Sequence, residues 1–153
     1  MIIRKLEKNE IDSLLELYKH YTSEENVPEL TEKTKIEIWE AITQNPCVNY
    51  FVIETNDKII ASCILTITPS FIRGGKAFGF IEHVVVHSDY RQNGYAQKIL
   101  NHVLDYAWEN SCTEVMLLSG SYNQKAHQLY RKLEFDENRK KGFILFKPKN
   151  KDK

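Results

Sequence analysis

The alternation of apolar and polar positions divides this chain into short β-type runs and longer helical stripes. "MIIRKL" at residues 1–6 predicts a first strand. Asn9 follows as an N-cap, with Asp12 in the first turn of a helix whose face is Ile11, Leu14, Leu15 and Tyr18. A second helix is expected over Glu32 to Thr43, with Ile38 and Ile42 on one face and Pro46 closing the segment. "NYFVIET" and "KIIASCILTITP" flank Asn56-Asp57, a turn signal between β-branched runs, and predict an antiparallel hairpin. After the glycine turn at Arg73 to Gly75, "AFGFIEHVVVH" predicts another strand.

Ala96, Ile99, Leu100, Val103, Leu104 and Ala107 then fall on one helical stripe. "EVMLLSG" predicts a strand, Ala126, Leu129, Tyr130 and Leu133 mark a helix opening at Asn123, and "GFILFKP" predicts a last strand. The order is strand, two helices, three strands, helix, strand, helix, strand. It implies an α/β (α+β) fold with a mixed sheet covered by helices on both faces.

Length and charge narrow the reading. With 153 residues, no repeat and no Pro/Gly/Ser-rich linker, one domain over residues 1–147 is expected, with a charged tail at 148–153. Lys plus Arg and Asp plus Glu are both 21, so the formal charge is zero. That balance shows no cationic face for nucleic acid or a membrane surface. Cys47, Cys63 and Cys112 are odd in number and far apart, unlike a disulfide framework, and a cytoplasmic location is expected. No apolar run suits a signal peptide or a membrane span.

The loop "RQNGYA", from Arg91 to Ala96, joins an apolar strand to an amphipathic helix. A helix start exposes unpaired backbone N–H groups and carries partial positive charge, so it suits phosphate. Gly94 allows close approach or positive φ, Ala96 keeps the next turn small, and Arg91 can add charge or brace the loop. The spacing matches neither G-x-G-x-x-G nor G-x-x-x-x-G-K-[ST], and one glycine for geometry alone is the competing explanation.

The surroundings of that loop resemble the GNAT superfamily of N-acetyltransferases across nearly the whole chain. The shared features are the order of elements, "FIEHVVVH" running into "SDYRQNGYA", the strand "EVMLLSG", and the helix "NQKAHQLYRKLEF". "GFIEHVVVH" also resembles the branch that includes glucosamine-6-phosphate N-acetyltransferases. The resemblance implies a mostly antiparallel twisted sheet and acetyl-coenzyme A as co-substrate. It implies that Arg91, Gln92, Asn93, Gly94, Tyr95, Ala96 and Gln97 hold the pyrophosphate through backbone amides. Val84, Val85 and Val86 would then pair with the pantetheine arm.

An alkylammonium with a pKa of about 10.4 is neutral in fewer than roughly one molecule in a thousand at pH 7, and only the neutral amine attacks a thioester. A proton acceptor near the amine and a donor for the thiolate are therefore needed. Glu82 is the candidate acceptor, because alternation places a carboxylate within an apolar strand on one face with Phe80 and Val84. Its alternative is a structural glutamate; the family resemblance suggests action through a water. His83 is placed on the opposite face with Ile81 and Val85, as a packed histidine or a second candidate base. His83 and His87 lack a carboxylate that would complete a zinc pattern, so no metal is expected.

Tyr130 in "HQLYRKL" matches the family tyrosine that protonates the coenzyme thiolate, and periodicity alone allows a core tyrosine instead. Asn123 can cap the last helix or, as the resemblance implies, bond the pantetheine amides. Ser121 and Gln124 leave the cap open. Glu134 stands where the family has glycine; a left-handed side chain there costs about 1–2 kcal/mol.

The acceptor is expected between the first two helices and the strand bearing Glu82. Tyr21, Glu24, Glu25 and Glu29 lie in that segment, and Phe71 and Arg73 come from "SFIRGG". Acidic residues suit a cationic amine and Arg73 an anionic one. A small primary amine is the leading acceptor class, with a protein amino group and a non-catalytic acyl-coenzyme A binding module as alternatives. A homodimer is suggested by resemblance.

Overall fold

The computed structural model describes residues 1–21 and 29–147 and, of Arg73, the backbone alone. They fall into two compact units, Met1–Leu117 and a second from Leu118 onward.

The first unit is built on a five-stranded sheet in the order β1-β2-β3-β4-β5: Ile2–Lys5, Val48–Thr55, Lys58–Thr68, Ala77–Val86 and Cys112–Leu117. The first four strands are antiparallel and β4–β5 is parallel, so the mixed, mostly antiparallel sheet expected from the sequence is present. Asn56 and Asp57 both take positive φ, 49° and 57°, as a type I′ hairpin turn requires. Their short polar side chains tolerate that conformation, which is why this dipeptide closes β2 onto β3.

Apolar runs on central strands are buried on both faces. Ile59 to Leu65 are all buried, and the faces separate by partner. Val52, Ile59 and Val85 pack with Leu6, Leu14 and Leu17 under helix α1 (Ile11–Tyr18), with Tyr18, Trp39 and Tyr50 at the margin. Phe51, on the opposite face, packs edge-on against His102 and Tyr106 of α3 (Tyr95–Glu109). Helix α2 (Glu32–Thr43) is capped by Thr31, whose hydroxyl accepts from the Thr34 amide.

Three local expectations are corrected. Asn9 is not the first cap; it lies in a 3₁₀ turn, Lys8–Glu10, closed by a reciprocal Glu7–Glu10 capping box, and α1 buries Leu14 and Leu17. In α2 the packed margin carries Trp39, and Ile38 is exposed. The longer and flatter Trp39 indole reaches that cluster, while Ile36 and Ile38 are exposed and Ile42 is half-buried.

The third correction lies in the second unit. Its helix α4, Gln124–Lys132, begins at Asn123 as expected. No strand forms over residues 141–147, where "GFILFKP" predicts one. Phe143, Ile144, Leu145 and Phe146 are instead 87%, 68%, 97% and 80% exposed. A β-run needs a partner edge to satisfy its backbone, and periodicity cannot supply one. Gly142 lies against Leu118, since a Cβ on it would come within 2.7 Å of the leucine Cδ2.

Candidate active site

Strand β4 positions the candidate residues, and its irregularity decides where they point. Glu82 pairs with Ile64 and Val85 with Ser62, so His83 and Val84 together face Cys63 across the ladder. This is a β-bulge, with His83 at φ 47°. The extra residue shifts the phase of alternation. Expected on opposite faces, Glu82 and His83 both lie on the α1 face: His83 packs against the rings of Tyr18 and Tyr21, each 5.9 Å away, and Glu82 acts electrostatically on Tyr50. Val85, expected with His83 and opposite Glu82, is buried on that same α1 face.

Glu82 is also exposed, so the burial cost that singled it out in the sequence does not arise. Its carboxylate borders an aromatic group that sequence spacing could not assemble. Burial, and secondarily Glu82, raises the pKa of Tyr50. Burial raises that of Tyr18 further, and the Ser62 hydroxyl acts in the opposite sense. Among the described residues, no group makes a well-aligned hydrogen bond to the buried Tyr18 Oη or Ser62 Oγ. Of the acceptor-side residues, Tyr21 is half exposed against His83. Arg73 lies in the 3₁₀ turn Arg73–Gly75, and Glu24 and Glu25 fall outside the described residues.

Beyond the bulge, β4 loses one neighbour. The parallel ladder with β5 ends at Ile81–Leu117, and among the described residues no strand pairs with Glu82–Val86 on that side. The edge along Val84, Val85 and Val86 is thus open to an extended ligand lying as a strand would, with the Val86 carbonyl already accepting from Arg91 Nε.

Val86 feeds a 3₁₀ turn, Ser88–Tyr90, and then the loop opening α3. Gln92 and Gly94 take left-handed φ, 63° and 76°, and no side chain caps the helix start. The first intrahelical bond runs from the Lys98 amide to the Gly94 carbonyl, leaving the amides of Tyr95, Ala96 and Gln97 without intrahelical partners. A Cβ on Gly94 would meet nothing within 4 Å, so the approach to those amides is open. These features fit a diphosphate: partial positive charge, free donors and room.

Arg91 is tied to the backbone of its surroundings. Its Nε donates to the Val86 carbonyl at 3.1 Å and its Nη2 to the His20 carbonyl at 2.5 Å, so it braces the loop against the end of α1. Asn93 Nδ2 is likewise spent on the Arg91 and Tyr90 carbonyls.

In the second unit, Asn123 Oδ1 accepts from the Ala126 amide and caps α4, while Gln124 Nε2 bonds the Ser121 carbonyl. Tyr130 sits on the half-buried stripe of that helix against Phe135, ring centroids 6.0 Å apart. Glu134 takes φ 65°, the left-handed conformation that glycine usually supplies.

A bulged strand with a one-sided open edge, leading into a helix start that no side chain caps, is an arrangement able to hold an extended ligand ending in a diphosphate. The acetyltransferase (GNAT) family model matches residues 11–135. A curated glucosamine 6-phosphate N-acetyltransferase from Trypanosoma brucei brucei is 31% identical over 87% of each chain. Among solved structures, a protein from Agrobacterium tumefaciens str. C58 assigned as an acetyltransferase superposes with a TM-score of 0.88. It is 30% identical, covering 96% of this chain and 100% of its own. The glucosamine-6-phosphate N-acetyltransferase of Arabidopsis thaliana gives 0.78 at 26% identity, over 96% and 97%.

The chain belongs to the acetyltransferase (GNAT) family, and it is an acetyl-coenzyme A dependent N-acetyltransferase. No helix among the described residues is long and apolar enough to cross a membrane, and no group of three or more metal-ligating side chains occurs among them.

Proposed function

We propose that the chain acetylates the primary amine of a small molecule by direct transfer, with Glu82 accepting the proton of the amine and Tyr130 protonating the departing sulfur. The observation that carries the acceptor side is the bulge, which turns Glu82 and His83 together to the face where Tyr18, Tyr21 and Tyr50 gather. A curated relative and a solved structure, both named for glucosamine-6-phosphate N-acetyltransferase, support a small amine over a protein amino group.

When bound, acetyl-coenzyme A supplies the acetyl group as an activated thioester. Backbone amides at Tyr95, Ala96 and Gln97 hold its diphosphate, and the free edge of Val84–Val86 orients the pantetheine arm. Glu82 is in contact with solvent, the condition for taking the ammonium proton through a water. A phenol with a pKa of about 10 is protonated at neutral pH and can donate to a thiolate whose conjugate acid lies near 8.5, which is the chemistry asked of Tyr130. Asn123, as the α4 cap, fixes the start of the helix carrying that phenol. Cys63 does not suit a covalent intermediate: it is buried, and burial pushes its thiol up to about 12.

The partner of the chain is a second copy. Phe143 to Phe146 expose on the order of 600 Å² of apolar side chain, at the top of what a monomer leaves bare and near the roughly 800 Å² per partner of a stable dimer.

The test of function is thermal unfolding with and without saturating acetyl-coenzyme A, with ATP as phosphate control. At 100 times Kd the expected gain is about 2.7 kcal/mol, a rise of roughly 5–10 °C. No rise with the coenzyme would remove the basis for the loop and strand assignments.

A further inference from the structure

His87 closes β4 and caps the turn that leads into the coenzyme loop. Its backbone is fixed on both sides: its amide donates to the Ile60 carbonyl of β3 at 2.9 Å, and its carbonyl accepts from the Tyr90 amide at 2.9 Å. The imidazole is only 12% exposed. Two donors face its two nitrogens. The Asp89 amide lies 3.3 Å from Nδ1, and the Lys58 ammonium lies 3.2 Å from Nε2.

A neutral imidazole has one acceptor nitrogen, so it satisfies one of these donors; an imidazolium has none and satisfies neither. The tautomer with the lone pair on Nδ1 caps the Ser88–Tyr90 turn, and the adjoining Arg91 continues directly into the cradle.

The charges around the ring set the direction. His20, just after α1, packs on His87 with ring centroids 4.0 Å apart and the planes tilted by 40°. Lys58 of β3 sits between the His87 ring and the Tyr90 ring, 5.7 Å from the latter's centroid. Arg91 approaches from the loop, through its bonds to the Val86 and His20 carbonyls. The Asp89 carboxylate is the one opposing group, its Oδ2 lying 3.8 Å from Nδ1. Tyr90 packs edge-on against the ring and adds no charge at neutral pH.

We infer that His87 is a positioning residue for the coenzyme loop, holding the turn ahead of Arg91–Ala96 only while its ring is neutral, so that coenzyme binding weakens when the ring takes up a proton. Protonation turns Nδ1 from an acceptor for the Asp89 amide into a donor toward the Asp89 carboxylate. The cap is lost, and a third cation joins Lys58 and Arg91. Burial, then His20 and Lys58, lowers the His87 pKa, with Asp89 acting against them and Arg91 with them. The change therefore falls on the acid side of the ordinary value of about 6.5.

This inference rests on the assignment of residues 91–97 to the coenzyme. The experiment is calorimetric titration with coenzyme A from about pH 7.5 to about pH 5, on the wild type, His87→Asn and Lys58→Met. In His87→Asn the side-chain amide oxygen can accept from the Asp89 amide and does not titrate in this range, while phosphate titration on the ligand is common to all three proteins. Wild-type affinity is expected to fall roughly fivefold more than that of His87→Asn, the worth of one helix-cap hydrogen bond. Lys58→Met should move the midpoint of the fall to higher pH.

Parallel profiles in wild type and His87→Asn overturn the inference. So does tighter binding in acid, the result if the imidazolium acted only as added positive charge. Failure of the wild type to bind at any pH overturns the coenzyme assignment instead. The capping role is then read from amide exchange of the coenzyme-free protein. Protection of the Asp89 amide should fall in acid in the wild type and hold in His87→Asn, and equal protection in both refutes it.

Discussion

Replacing Glu134 by glycine should stabilise the protein. Helix α4 ends in a Schellman arrangement: the Glu134 amide donates to the Arg131 carbonyl at 3.0 Å, and the Phe135 amide reaches back to the Tyr130 carbonyl at 3.0 Å. The hydrophobic contact that accompanies such an ending is present as the Tyr130–Phe135 ring pair. The geometry requires a left-handed residue at 134, and an exposed glutamate occupies it at φ 65°.

A side chain in that conformation costs about 1–2 kcal/mol. Glycine removes this cost but loses about 0.5–1 kcal/mol through its more flexible unfolded state. The net gain is about 0.5–1 kcal/mol, equivalent to a rise in Tm of roughly 1–4 °C for a chain of this length. Urea unfolding of wild type, Glu134→Gly and Glu134→Ala measures it, with the alanine variant near wild type because it keeps the Cβ. A glycine variant no more stable than the alanine variant would show that residue 134 is not strained.

Tyr130→Phe should bind coenzyme A as the wild type does and lose most of its turnover; full turnover at saturating substrate would take Tyr130 out of the chemistry. Leu145→Asp should convert a dimer to a folded monomer in sedimentation equilibrium, with unchanged circular dichroism; a monomeric wild type at high concentration refutes the second-copy partner. Arg4 bonds both Glu10 and Glu54, each partly buried, and Arg4→Met should destabilise by about 2 kcal/mol near neutral pH. The Arg4 hydrogen bond holds the Glu10 carboxyl below its ordinary range. Its contribution is present above the unfolded value of about 4.5 and is lost as pH falls through the lowered one. Urea midpoints should therefore drop in acid more steeply for the wild type than for Arg4→Met, and equal slopes would count against the ion pair.

Local signals were legible in this sequence where local physics decides. Asn56-Asp57 named a hairpin turn because few residue pairs tolerate two positive φ values. The stripe Ile99, Leu100, Val103 and Ala107 is the face that α3 buries, and Gly94 marked the left-handed start of that helix. Glu134 was marked as the place of strain because a helix ending is a local event.

Pairing decided the rest. Alternation alone set Glu82 and His83 on opposite faces, and the bulge opposite Cys63 brought them to one, because register exists only between two strands. Arg91 read as charge for a phosphate or as a brace for the loop, and the brace has a partner that spacing could not name, the His20 carbonyl seventy-one positions away in the chain. His87 drew attention only as half of a metal pair, since Lys58 and His20 reach it through β3 and α1. The run "GFILFKP" has every strand propensity, yet a strand forms only where another edge offers its hydrogen bonds. Periodicity fixes which residues seek burial; the sheet decides which side of it they reach and what they meet there.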